Sequence, residues 1–443
     1  MEFAKAIGGV ERLFLRRIIL ILLLIFTCFC LAEGQAEHTI PAFVRIGLAE
    51  GQSSLTLILP AGTAAGTAQG TIWRVETATT LICTMGSDGS IVSGIFSYGP
   101  GPVRFDAPGG FLAWGLRRYR GDLVIKRGVK GLSLINEVSV EDYLRGVLPA
   151  EISPEWPPAA LMAMAMAART FSIDHLGVHQ GEGYDLCSSV HCQVYAGVNL
   201  EAGTTNSAVT ATEGKVMTYQ GRAIAAFYHA ASGGHTEDVN AVWGTAPQKY
   251  LSGVPDPNEK SPYSQWETIL TWPDLQDSVG KKYPQLGRLL SMSILERAGS
   301  GRIKTIELTG SLGRIKLGGE TFRFLLGLRS SLVDLAVEYG LTPNLNPQDL
   351  AGAPIMQTLA PTAEAPWFGI FDAEWNLTPV RLIIEGRGWG HGVGMSQWGA
   401  KSLAEQGYTW DMILKYYYQG IEIEDWRPPR ASPTVPAPGD AAG

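Results

Sequence analysis

Between Pro41 and Lys130, apolar and polar residues alternate in short runs, "FVRIGL", "SLTLIL", "GTIWRV" and "DLVIKRG", separated by Gly, Ser and Asp turns. A period of two with such breakers predicts β-strands. "GLSLINEVSVEDYLRGVLP" is expected to add one more strand, after which the period changes. In "SPEWPPAALMAMAMAARTFSIDHLG", Ser153 is expected to cap a helix, Pro154 and the following prolines to suit its first turn, and Gly177 to stop it. Ala, Met and Leu run nearly all round that helix. This predicts burial, with the methionines filling gaps in a core.

Residues 183–260 are turn-rich, with short apolar strands such as "VMTY" and "AIAAFYHAA". From 263 to 376, helices are expected around "LLSMSILERAG" and "RFLLGLRSSLVDLAVEYG", flanking the hairpin-like "RIKTIELTGSLGRIKLGG". The strand "VRLIIEG" then enters a glycine-rich loop, followed by helices at "MSQWGAKSLAEQG" and "TWDMILKYYYQG". The Pro/Ala-rich tail, 427–443, is expected to be disordered. The pattern as a whole gives an α+β fold. Residues 37–130 form a β-rich part, 131–262 and 377–426 the two parts of a mixed core around the buried Ala-rich helix, and 263–376 an inserted α/β segment.

With 443 residues, 45% hydrophobic and 17% charged, the chain can bury a substantial core in two to three structural units. A net charge of -7, without Lys/Arg runs beyond short pairs, removes the basic footprint that nucleic acid needs. Lys5, Arg12, Arg16 and Arg17 precede an apolar block, Ile18 to Ala32, and a small-residue exit. That block falls short of the roughly 20 residues of a comfortable membrane span. Residues 1–36 therefore read as a secretory signal, with retention as a membrane anchor the alternative; either way the bulk of the chain is exported. Cys28 and Cys30 lie in that block, which leaves Cys83, Cys187 and Cys192, too sparse a set for a disulfide framework.

Four glycine-punctuated polar clusters remain: "GVLPAEISPEW", "YDLCSSVHCQVYAG", "FYHAASGGHTEDVNAVWG" and "GRGWGHGVGMSQWGA". Their mixture of aromatic, amide and hydroxyl groups on a small-residue backbone fits a carbohydrate cleft. The first holds two carboxylates, Glu151 and Glu155. In the second, Cys187, His191 and Cys192 fall within six residues, with His175 and His179 just upstream. They chelate zinc if a fourth ligand joins; a Cys187–Cys192 disulfide or two free thiols are the alternatives. In the third, His229 and His235 lack a nucleophile elbow, so Ser232, Gly233 and Gly234 read as a tight cleft wall. The fourth lacks both the dinucleotide spacing and the P-loop lysine. Its glycines allow close backbone approach while presenting His391, Ser396, Gln397 and Trp398. Arg169, in the buried helix, needs a partner, either a carboxylate of the site or a scaffolding group.

In order, "EDYLRGVLPAE", "ALMAMAMAARTF", "CQVYAG", "SGGHT…VWG", the "LTG" hairpin and "GRGWGHGVGMSQWGA" resemble the stage II sporulation protein D and amidase-enhancer family of peptidoglycan-acting proteins, over residues 42 to 424. The resemblance implies a peptidoglycan lytic transglycosylase whose catalytic carboxyl is Glu151, not Glu155. One carboxyl group would protonate the glycosidic oxygen, then take the proton of the C6 hydroxyl of N-acetylmuramic acid as it attacks C1. No second carboxylate nucleophile is needed, unlike the usual glycosidase pair. Apolar neighbours Val147, Leu148 and Ile152 are expected to raise the pKa of Glu151. Glu155 reads as a favourable charge at a helix start. Arg169, Gln193, Tyr195, Ser232, Gly233, His391, Ser396, Gln397 and Trp398 are the expected substrate contacts.

Some members of that family carry zinc on two Cys and two His here, which implies a structural zinc on Cys187, His191 and Cys192, with His179 as fourth ligand. Relatives often have Lys, Gln and Tyr where this chain has Met162, Met164 and Phe171, which puts substrate contacts from that helix face in doubt. The implied substrate is peptide-stripped glycan, and the implied role cell-wall remodelling, with sporulation one setting. The other reading is a non-enzymatic, wall-binding enhancer of an N-acetylmuramoyl-L-alanine amidase.

Overall fold

The computed structural model describes residues 40–257, 259–343 and 375–426. The expected signal or anchor (1–36), the tail (427–443) and the stretch 344–374 of the expected insertion lie outside the described residues. Residues 43–424 form one unit.

The alternating runs of the first third build two sheets. Seven strands line up as Leu186–Cys187, Val44–Gln52, Leu132–Val138, Asp122–Arg127, Val103–Asp106, Ala64–Thr67 and Gly70–Arg74. A six-stranded sheet is centred on Ser54–Leu59 paired with Thr79–Met85. Leu55, Leu57 and Leu59 point inward and are essentially fully buried while the residues between them face solvent, the half-buried alternation expected of such a strand. Val44 pairs with Val138, so the expected division at residue 130 runs through a single sheet.

The strand Leu132–Val138 does not continue into "SVEDYLRGVLP". Ser139 caps a helix, α1 (Val140–Glu151), its hydroxyl accepting from the Asp142 N–H at 3.1 Å. Glu141 and Asp142 complement the N-terminal end of the dipole. Tyr143, Leu144, Val147 and Leu148 have helical spacing and are buried. Pro149, which has no N–H to give, sits in the last turn and masks the helical signal. Glu151 is thus the last residue of α1, not part of a strand-to-helix turn. The Ala-rich helix α2 starts at Pro158 and runs to Asp174, capped by Pro157, not Ser153; the Ser153 hydroxyl instead accepts from the Glu155 N–H in the connecting turn. Glu155 therefore precedes that helix. From Ala163 to Phe171, α2 is at most 7% exposed, and α1, α3 (Gly203–Ala211), α7 (Gln397–Glu405) and α8 (Trp410–Tyr417) pack on it. Its alanines allow those close approaches.

A short helix, α4 (Val239–Trp243), precedes the insertion, which holds α5 (Trp272–Lys282) and α6 (Gly319–Leu326). Two three-stranded sheets share its core: Trp266–Thr271, Trp375–Gly386 and Val333–Pro343 in one, Leu289–Arg297, Ile303–Gly310 and Gly313–Gly318 in the other. Trp272, Leu275, Val279, Ile306, Leu308, Phe322, Leu382 and Ile384 gather in one apolar cluster. One of the expected helices is a strand here, and another turns into one part-way. In "LLSMSILERAG", Met292 and Ile294 turn inward at period two while Leu290 and Leu295 lie exposed, so the leucines disguise an alternating pattern. "RFLLGLRSSLVDLAVEYG" is helical only to Leu326; Gly327, at φ +64°, ends α6, and Val333, Leu335 and Val337 then alternate along a strand. The expected hairpin is present, Gly310 facing Gly313. The strand Trp375–Gly386 belongs to the insertion and delivers the chain directly into the glycine-rich loop.

Candidate functional site

Glu151 ends α1 with its carboxyl partly buried between the loop after Cys192 and the start of α7. The Val194 main-chain N–H donates to Oε1 at 3.0 Å, and Gln397 Nε2 approaches Oε2 at 3.5 Å. Burial pushes the carboxyl above its ordinary value of 4.5, and the donors Val194 and Gln397 hold it back only in part. Val147, Leu148 and Ile152, at 0–5% exposure, supply the apolar side of that environment. Among the described residues no carboxylate or cation pairs with Glu151. Trp156 follows in the α1–α2 turn and meets Trp398 edge-on, ring centroids 5.1 Å apart; both are partly exposed, and the Lys401 ammonium lies 5.1 Å over Trp398. An acid whose pKa is raised by burial thus lies on the segment that leads into an aromatic platform.

The glycine-rich loop is woven onto the segment 228–237. Tyr228 and His229 pair in parallel with Met395 and Ser396, and Ala231 bridges Trp389. Gly394, at φ +72°, is obligatory: a Cβ there would lie 2.0 Å from the Phe227 carbonyl oxygen. This weaving fixes Ser396, which caps α7 by accepting from the Gly399 N–H at 3.0 Å and so aims Gln397 at Glu151.

The decisive comparison is with named relatives. The family model described as stage II sporulation protein matches residues 129–219, the stretch with Glu151, α2 and the Cys/His cluster. The stage II sporulation protein D of Bacillus subtilis is 30% identical over 307 residues, 66% of this chain and 76% of that protein. The chain belongs to the stage II sporulation protein D family. An uncharacterised protein of Brachyspira hyodysenteriae is 29% identical over 325 residues, 73% of this chain and 77% of its own length. The amidase enhancer of Bacillus subtilis is 29% identical over 306 residues but only 40% of its length is matched.

In this member of the stage II sporulation protein D family, several expected substrate contacts are internal. Arg169 is fully buried and makes a bidentate pair with Glu141, at 2.9 and 2.7 Å, with further bonds to Thr212 and the Val209 carbonyl. Its partner is a carboxylate of α1 but not Glu151, so it braces α1 against α2 and α3. Tyr195 donates to Asn136 at 2.8 Å inside a stack with Tyr119 and Tyr143. Gln193 is saturated by Tyr143, Ser172, Tyr228 and the Ala168 carbonyl, which sets the path of the chain into Val194. All three are buried because their polar ends tie elements together. Ser232 and Ser396 are likewise buried, both donating to Glu259 Oε2, at 2.7 and 2.8 Å. Gly233, at φ +77°, lies against Gly388, and His391, pushed down to about 3 by burial, accepts from the Val393 N–H beside Trp243. Gln397 and Trp398 remain as the expected contacts that stand at Glu151.

Sequence reasoning missed Val194, Trp156 and the pairing of buried Asp256 with half-buried Glu259. Asp256 is raised to about 7, first by burial and then by the neighbouring Glu259, and accepts from the Tyr417 hydroxyl at 3.1 Å. A Cβ on Gly399 would meet its Oδ2 at 2.3 Å. Nothing in "DPNEK" announces the pair. Trp156 was within reach, since a tryptophan in the turn beside an acid has little packing reason to be there.

His179, Cys187, His191 and Cys192 converge, their ligand atoms all within 4.8 Å of one another. His179 Nε2 lies 3.3 Å from His191 Nδ1, while its Nδ1 faces the Glu182 carboxylate at 3.7 Å. The two cysteines are free thiols, not a disulfide. Burial pushes both thiols up, but hydrogen bonds from Ser189 and Cys192 outweigh it at Cys187 and hold it at about 7. His175 lies apart, stacked on Phe171.

Proposed function

We propose that the protein is an exported peptidoglycan lytic transglycosylase, cutting between N-acetylmuramic acid and N-acetylglucosamine in peptide-stripped strands to leave 1,6-anhydro ends. The observation that carries this is the setting of Glu151: one carboxyl, raised by burial, partly open, and held by one main-chain N–H and one amide. A lone acid of this kind can give its proton to the glycosidic oxygen and then, as carboxylate, accept the C6 hydroxyl proton of the same sugar. A glycosidase nucleophile would need a second carboxyl about 5 Å away. Val194 and Gln397 steady the carboxylate between the two proton transfers. The Trp156–Trp398 pair offers the aromatic face on which sugar rings stack.

Purified wild type and Glu151→Gln, incubated with stripped strands, test this by mass analysis. Wild type is expected to release 1,6-anhydromuramyl products and the variant none; equal release by both overturns the assignment. The second reading, an amidase enhancer without activity of its own, draws on the name of the matched Bacillus subtilis relative. It is favoured if wild type binds strands uncut yet accelerates a cell-wall amidase.

The Cys/His cluster suits a structural zinc. Two thiols and two imidazoles match a closed tetrahedral site, whose ion would tie the 179–192 loop together just ahead of Val194. One zinc per chain by metal analysis is expected, with a large drop in Tm on chelation. We place the protein outside the cell on its N-terminal segment, which fractionation of cells checks.

A further inference from the structure

Beyond the platform at Glu151, a second aromatic surface is built where the insertion meets the glycine-rich loop. Tyr263 and Trp389 pack edge to face, ring centroids 4.5 Å apart at 78°, and Trp389 is 41% exposed. The exposed Arg329 guanidinium lies 5.4 Å from the Trp389 ring and 5.7 Å from Tyr263. Each piece is fixed through main chain. The Gly388 N–H donates to the Tyr263 carbonyl, and the Gly390 N–H to that of Arg329, both at 2.8 Å.

Arg329 has no carboxylate partner among the described residues, whereas Arg323, six residues before it, is paired with Glu320 at 2.9 Å. The surface is tied through main chain to the segment that also holds the candidate active site. Trp389 exchanges main-chain hydrogen bonds with Ala231, and the Trp398 N–H donates to the adjacent Ala230. The two aromatic platforms are therefore fastened to neighbouring peptide units.

We infer that Tyr263, Trp389 and Arg329 form a distal glycan subsite, in which a sugar ring stacks on Trp389 and Arg329 receives the lactyl carboxylate of N-acetylmuramic acid. This rests on the peptidoglycan reading above. Aromatic faces take the apolar side of sugars, and a guanidinium held on a ring keeps its donors in one plane, matched to a carboxylate. Stripping the stem peptide is what frees that carboxylate, so the subsite selects stripped strands by charge.

The test measures binding in the Glu151→Gln background, where strands stay whole. Arg329→Ala is expected to weaken affinity for stripped strands about tenfold, Arg329→Lys to restore part of it, and Trp389→Ala to weaken binding as well. On strands whose lactyl carboxyls have been converted to amides, Arg329→Ala should make no difference, while Trp389→Ala still should. The inference is overturned if Arg329→Ala binds stripped strands like its parent, if the loss is equal on amidated strands, or if it appears only on peptide-bearing strands. Absence of cleavage by wild type would sink the enzymatic reading but leave this binding comparison readable.

Discussion

Glu151 and Asp256, the latter neighboured by Glu259, are two carboxyls raised by the same force, burial, and they end differently. Around Asp256 and Glu259 the acceptors are taken up by the Ser232, Ser396 and Tyr417 hydroxyls and the Ser232 N–H. Around Glu151 there is one good main-chain donor, one long contact to an amide, and an open side. A raised carboxyl is therefore not a sign of chemistry by itself. What separates the two is leftover hydrogen-bonding capacity facing solvent. The pair fixes the cap of α7 and through it Gln397; the lone acid is held by two donors alone among the described residues.

The sharpest way to break this contrast is substitution at the lone acid. Glu151→Gln should lower strand cleavage by about a thousandfold or more with Tm essentially unchanged, because an amide keeps the Val194 bond but has no proton to transfer. The reverse is expected at the pair. Glu259→Ala should cost about 2 kcal/mol in urea unfolding, since the Ser232 and Ser396 hydroxyls lose their shared acceptor, and activity should fall only as far as stability does. A large loss of cleavage at full stability would merge the two sites into one.

The pair should also write itself into the pH dependence of stability. Asp256 is raised from 3.8 to about 7, so the folded state binds a proton more tightly than the unfolded chain across that window. Its contribution is fully present below about 4 and is lost as pH rises through about 7; Asp256→Asn should flatten that slope in a Tm-versus-pH series. The smallest effect is expected at Gln397. Gln397→Leu removes a donor that favours the charged form of Glu151, so the acid's pKa rises further, and the alkaline limb of the rate–pH profile should move to higher pH.

The lone acid was legible in the sequence and the pair was not. Glu151 was singled out by a fixed order of motifs around it, and the apolar residues of its buried setting are its immediate neighbours. Asp256 and Glu259 act with partners 27 to 161 positions away, Ser232 and Tyr417 among them, and no local pattern encodes such a meeting. Arg169 shows the same limit: the need for a partner could be read, but that it is Glu141 depends on how α1 crosses α2. In the fold, the strands of the first third and the buried helix followed from periodicity; their division into two sheets did not. The misreadings fell where a local feature hid the period: Pro149 inside α1, and exposed leucines along Leu289–Arg297.

The hydrogen bond from Val194 to Glu151 has a genetic consequence. Its donor is a peptide group, present whatever side chain position 194 carries, so alanine scanning would pass over the residue that most directly holds the proposed acid. Drift at 194 should be tolerated, proline excepted, and the hold can be lost only by moving the loop itself. The residues to which that contact is genetically exposed are Gln193 and its hydrogen-bond partners, Tyr143, Ser172 and Tyr228, which hold the loop rather than the carboxyl itself.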